Sequence, residues 1–165
     1  MRPGLVLALI LLAACRTPDP KTELEVAGVE TYWAVDPPRG DTQYIAPVVR
    51  FRLRNRSPEP ARPIQARADF RRMGEREEPW ASGFLQVTSA RKPLLPGQEI
   101  VVELKSEGHY TSPGTPEGML QSPAFRDALA QIYLRAGSSS MVRMGADYKV
   151  ERRIGSRSVQ GIAAP

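Results

Sequence analysis

VVRFRLRN, residues 48–55, alternates apolar and cationic side chains: Val49, Phe51 and Leu53 fall on one side, Arg50, Arg52 and Arg54 on the other. Successive side chains of an extended strand point to opposite faces, so this stretch reads as a half-buried strand with a wet face of guanidinium groups. The same alternation recurs on either side of it. Ile64, Ala66, Ala68 and Phe70 oppose Gln65, Arg67, Asp69 and Arg71, and Ile100, Val102 and Leu104 oppose Val101, Glu103 and Lys105. Ile132 and Leu134 share a face. Weaker strands are read at 24–35, 83–88, 140–144 and 148–154, and Gly28 interrupts the first, marking a bulge or a close backbone approach. Segments rich in Pro and Gly at 35–41, 55–63, 72–79, 94–98, 112–118 and 135–139 separate these runs. Seven to eight short strands joined by such turns predict an all-β fold, a single antiparallel β-sandwich.

Residues 107–131, EGHYTSPGTPEGMLQSPAFRDALAQ, break the pattern as a long connection between two strands. Ser122 as N-cap and Pro123 as first helical residue predict a short helix over 123–130. Connections of this length in compact domains are usually functional or disordered, and the segment, with His109 and Tyr110 at its start, is a candidate contact surface. His109 is the only histidine and Cys15 the only cysteine, which leaves no His/Cys cluster for a metal. No GxSxG elbow accompanies His109, so a Ser–His–Asp triad has no visible nucleophile. The expectation is a protein that is not an enzyme and that holds no cofactor and no metal.

The N-terminus is read from LVLALILLAACRTPDP, residues 5–20. Arg2 supplies a positive start, Leu5–Leu12 an unbroken apolar block, and Ala13 and Ala14 the small residues of a secretory signal. The block is about half of the roughly 20 residues that a membrane-spanning helix needs. Leu12-Ala13-Ala14-Cys15 resembles the lipobox of bacterial lipoproteins. The resemblance implies lipid attachment at Cys15, cleavage before it and acylation of the new amine, and it accounts for a lone cysteine in an exported chain. Arg16 in place of Asp, by the same resemblance, favours an outer-membrane location facing the periplasm over the inner membrane. The turn at 53–60 with the Pro-Gly turn at 94–104 resembles small immunoglobulin-like or fibronectin-III-like extracytoplasmic modules. The expected organisation is a signal peptide at 1–14, a lipidated tether at 15–23, a β-sandwich over 24–154 and a disordered tail at 155–165.

Removing residues 1–14 from 165 leaves 151, enough for one domain. The full chain carries 23 cations against 18 carboxylates, and loss of Arg2 with the signal leaves a balance of +4. That surplus favours anionic lipid or polymer surfaces, while export and the lack of an aromatic-basic motif argue against nucleic acid. Arg50, Arg52 and Arg54, with Arg67 and Arg71 on a neighbouring strand, form the candidate interaction surface. Guanidinium forks suit phosphate and carboxylate, but the same ladder also fits the solvated face of a sheet with Asp69 or Glu103 as cross-strand partners. The function expected is a cell-envelope lipoprotein whose sandwich binds another envelope component: a protein, a lipid headgroup or a polymer. Its alternatives are a carrier of a small apolar ligand or lipid and, third, an envelope hydrolase.

Overall fold

A computed structural model describes residues 19–75, 78–155 and 161–163. The stretch read as signal and lipobox, Cys15 included, lies outside the described residues. The chain enters through a single helical turn, α1 (Pro20–Glu23), whose N-cap Asp19 accepts a hydrogen bond from the Lys21 N–H at 3.0 Å. Pro20 is buried, so the expected tether gives way to a docked turn from residue 20 onward.

β1 (Leu24–Arg39) and β2 (Thr42–Asn55) form a long antiparallel hairpin. Its register shifts between Ala27 and Glu30, at Gly28, whose φ is +57°. The extra residue of that bulge switches which side chains face the core. Leu24 and Val26 point inward before it, and Val29, Trp33 and Val35 after it. The bulge expected from Gly28 is therefore present, and it aims Trp33 inward.

β3 (Ile64–Arg72), β4 (Ala81–Gln86), β5 (Glu99–Lys105), β6 (Tyr110–Ser112), β7 (Ala128–Ala136), β8 (Val142–Lys149) and β9 (Gly161–Ala163) follow. One sheet runs β1-β2-β5-β9, with β6 also on β2, and the other runs β4-β3-β7-β8. All strand pairs within the two sheets are antiparallel. In each sheet the central pair, β2 with β5 and β3 with β7, joins strands that are not consecutive, as in a Greek key. The all-β sandwich is thus the fold, with seven longer strands and two of three residues among the described residues. The inward sets read from the sequence (49, 51, 53; 64, 66, 68, 70; 100, 102, 104; 132, 134) all belong to one buried core.

Three expectations need correction. The helix is not at 123–130 but one turn-signal upstream, in α2 (Pro116–Gln121), capped by Thr115, whose Oγ1 accepts from the Gly118 N–H at 3.1 Å. Phe125 is buried and Ala128 already opens β7, whose alternating core contacts a helix through 130 would forfeit. In place of separate strands at 140–144 and 148–154 there is one strand, β8 (Val142–Lys149), carried through Gly145 at φ +70° and ending before Val150. Within the stretch expected to be a disordered tail, Gly161–Ala163 pairs with Val101–Glu103 of β5.

Candidate functional site

The two ends of the sandwich differ in kind. α1, Asn55, Ile64, Ala136 and Val142 lie at the end where the chain enters; Arg39, Arg72, Lys105 and Ala128 lie at the other, the distal end. β5 and β6 run along one edge of β2, and the 107–109 segment loops out between them. Ser106 holds this kink: its N–H donates to the Pro47 carbonyl at 2.9 Å, and its hydroxyl bonds the Gly108 N–H and carbonyl, each at 3.0 Å.

The kink separates the two residues singled out at the start of the connection. His109 faces outward, its Nε2 2.7 Å from Asp36 Oδ2 and its ring edge-on to Tyr44. Lys105 Nζ donates to the other Asp36 oxygen at 2.6 Å. Burial on its own would raise the Asp36 carboxyl, but the hydrogen bonds and charges of Lys105 and His109 outweigh it and hold the carboxyl below its ordinary range.

Tyr110 faces inward instead, against Trp33, Phe125 and Trp80, with ring centres 5.4, 4.9 and 5.0 Å away. Its hydroxyl donates to the Arg126 carbonyl at 3.0 Å. Burial pushes the phenol up, although the Arg72 guanidinium, which lies over both Trp80 and Tyr110, opposes it. The buried Trp33 indole N–H has no hydrogen-bond partner among the described residues and sits among these rings. Beside the cluster, between β6 and α2, lies a surface cleft of about 540 Å³ with Tyr110, Met119 and Phe125 as its apolar part and Thr111, Ser112 and Ser122 as its hydroxyl rim. On the far side of α2, Asp127 binds Arg152 at 2.6 Å and Lys149 at 3.0 Å; the Arg152 hydrogen bond above all holds its carboxyl low.

The arginine ladder is elsewhere and is matched by acids. Arg54 lies between Glu25 and Glu99, and Arg50 between Glu30 and Glu103; Arg52 reaches Glu99 at 3.6 Å. Arg67 and Arg71 do not extend this ladder. They project from the outer face of the other sheet, where Arg67 binds Asp69 at 3.0 Å and stacks on Tyr133, and Arg71 binds Asp147 at 2.8 Å. The structure therefore divides the seven sequence-chosen residues among four places. Asp36, Arg72, Trp80 and Phe125 were not singled out as one group; Asp36, before Pro37-Pro38, reads as turn chemistry, and no local signal ties it to residues about 70 positions on.

No family model and no curated protein matches this sequence. Among solved structures, the chain is similar to the X-ray structure of Northeast Structural Genomics Consortium target SoR45, at 8% identity and a TM-score of 0.42, covering 80% of this chain and 89% of that one. It is also similar to the crystal structure of the putative ApaA protein from Bordetella pertussis, at 17% identity and a TM-score of 0.39, covering 79% of this chain and 94% of that one.

Proposed function

We propose that this chain is a lipid-anchored, non-enzymatic binding module of the bacterial cell envelope, attached through Cys15, that presents its distal end to another envelope component. The observation that carries this reading is one of placement. The aromatic cluster, the cleft and the Asp36 and Asp127 ion-pair groups gather at the end opposite chain entry, where an anchored domain faces away from its membrane. The single histidine is held by Asp36 and Tyr44, which orders it at the distal surface. Arg16 favours the outer membrane.

Two measurements test this. The Cys15→Ser chain is expected to move from the membrane to the soluble fraction, and mass spectrometry of the wild-type N-terminus to show acylated Cys15; an unmodified cysteine overturns the anchor. A photo-crosslinking residue at Glu117 or Gln121 is expected to give discrete adducts in cells, and one at Arg52 none. The reverse pattern overturns the distal reading. The cleft favours a second reading, a carrier of a small apolar ligand. That reading requires a ligand on the purified chain by native mass spectrometry that Thr111→Trp removes.

A further inference from the structure

At the end where the chain enters, Leu95 is 52% exposed, more than any other large apolar side chain among the described residues. A lone exposed leucine is ordinary, and this one is distinguished by how it is held and where. Leu95, Pro96, Gly97 and Gln98 form a tight turn. The Gln98 N–H donates to the Leu95 carbonyl at 3.0 Å, Gly97 takes φ +73° as a type II turn requires, and the Gln98 side chain accepts from the Leu95 N–H at 2.9 Å. Leu94, next to it, is buried, and its carbonyl accepts from the Ala61 N–H and the Asn55 side chain, both at 2.9 Å. The loop is pinned, with Leu94 turned in and Leu95 turned out.

This loop adjoins the chain's entry. Asn55 pairs with Leu24 and accepts from the Gly97 N–H at 2.8 Å, and the Arg56 N–H donates to the Glu23 carbonyl at 2.8 Å. Cys15 lies four residues before Asp19, a reach of at most about 14 Å. The two loops at this end, residues 56–63 and 87–98, carry Arg56, Arg62, Arg91 and Lys92 against Glu59 alone, all five exposed. α1 adds Lys21 with Asp19 and Glu23. Beside the loop a polar depression of about 400 Å³ is lined by Glu25, Arg54, Asn55, Arg56 and Gly97, wide enough for a phosphate headgroup.

We infer that this end is a membrane-docking surface: Leu95 enters the interface of an anionic phospholipid leaflet while Arg56, Arg62, Arg91 and Lys92 engage its phosphates. The chemistry is that of interfacial proteins, an apolar side chain set among cations. Each contact is weak alone, and the tether supplies the local concentration that makes it count. Docking at this end holds the distal cleft upright, away from the bilayer.

The inference rests on Cys15 as the attachment point, and the test separates the two. The chain without its signal, which keeps every described residue and the whole core, is coupled through the Cys15 thiol to a maleimide lipid. This recreates the tether whether or not cells acylate Cys15. The vesicles contain phosphatidylglycerol and phosphatidylethanolamine with brominated acyl chains, and phosphatidylcholine vesicles serve as the comparison. Fluorescence of Leu95→Trp, above the background of Trp33 and Trp80, is expected to shift to the blue and to be quenched on the anionic vesicles. Phe84→Trp, on the side of the sandwich, is expected to stay unquenched. Adding Arg91→Gln and Lys92→Gln is expected to cut the docked population about fivefold for each charge removed. An unquenched Leu95→Trp, or stronger quenching of Phe84→Trp, overturns the inference even if Cys15 is acylated in cells.

Discussion

Asp36 is the residue on which the outward side of the distal end depends, because two cationic or proton-donating partners from sequence-distant positions converge on one carboxylate. Its carboxyl is held below the ordinary value, so its contribution to stability is complete above about pH 3.9 and is lost as pH falls through the lowered value. Asp36→Asn is expected to cost roughly 1–2 kcal/mol at pH 7 and progressively less in acid. Thermal unfolding at several pH values checks this, and a cost that is flat or grows toward low pH refutes the assignment. Gly83 is constrained differently. A Cβ there would stand 2.2 Å from the Lys105 carbonyl oxygen, where β4 meets β5 across the corner of the two sheets. Gly83→Ala is expected to destabilise by about 1–3 kcal/mol, because backbone on both sides must move to admit it. A melting temperature within a degree of wild type would contradict that close approach.

At the scale of elements, legibility follows from how local the deciding force is. β2, β3, β5 and β7 were readable because each buries one face and period two records burial directly. The bulge in β1 was readable because only Gly tolerates its φ without strain. The helix was not. Thr115-Pro116 and Ser122-Pro123 offer the same start signal, and the choice between them is made by where Phe125 and Ala128 must pack, which no local window contains. The kink at 107–109 was hidden for the same reason, and with it the fact that His109 and Tyr110 look in opposite directions. Thr115→Ala is expected to cost about 1 kcal/mol, felt first as faster amide exchange across 116–121. If exchange instead rose across β7 and left α2 unchanged, the cap would not be what holds this helix.

Across the whole molecule, charge is distributed by place, and a count of arginines along the chain cannot show it. The ladder of Arg50, Arg52 and Arg54 suggested a basic face, yet strand pairing brings Glu25, Glu30, Glu99 and Glu103 beside it, so three cations stand among four carboxylates. The loops at the entry end are less compensated, with Arg56, Arg62, Arg91 and Lys92 against Glu59. Replacing all three ladder arginines with Gln therefore does more than remove positive charge, because it leaves four carboxylates on β1 and β5 without the cations that lie between them on β2. Exposed pairs of this kind contribute roughly 0.2–1 kcal/mol each, and like charges across strands repel by similar amounts. The triple variant is expected to lose about 1–3 kcal/mol at low salt, by chemical denaturation, and to recover much of it as added salt screens the exposed carboxylates. Docking of the Leu95 turn to anionic vesicles should weaken only by the share of Arg54, which lines the entry-end depression, since Arg56, Arg62, Arg91 and Lys92 are untouched. If the variant were as stable as wild type at every salt concentration yet no longer bound anionic vesicles, the ladder would be a contact surface after all, and the acids beside it would be bystanders.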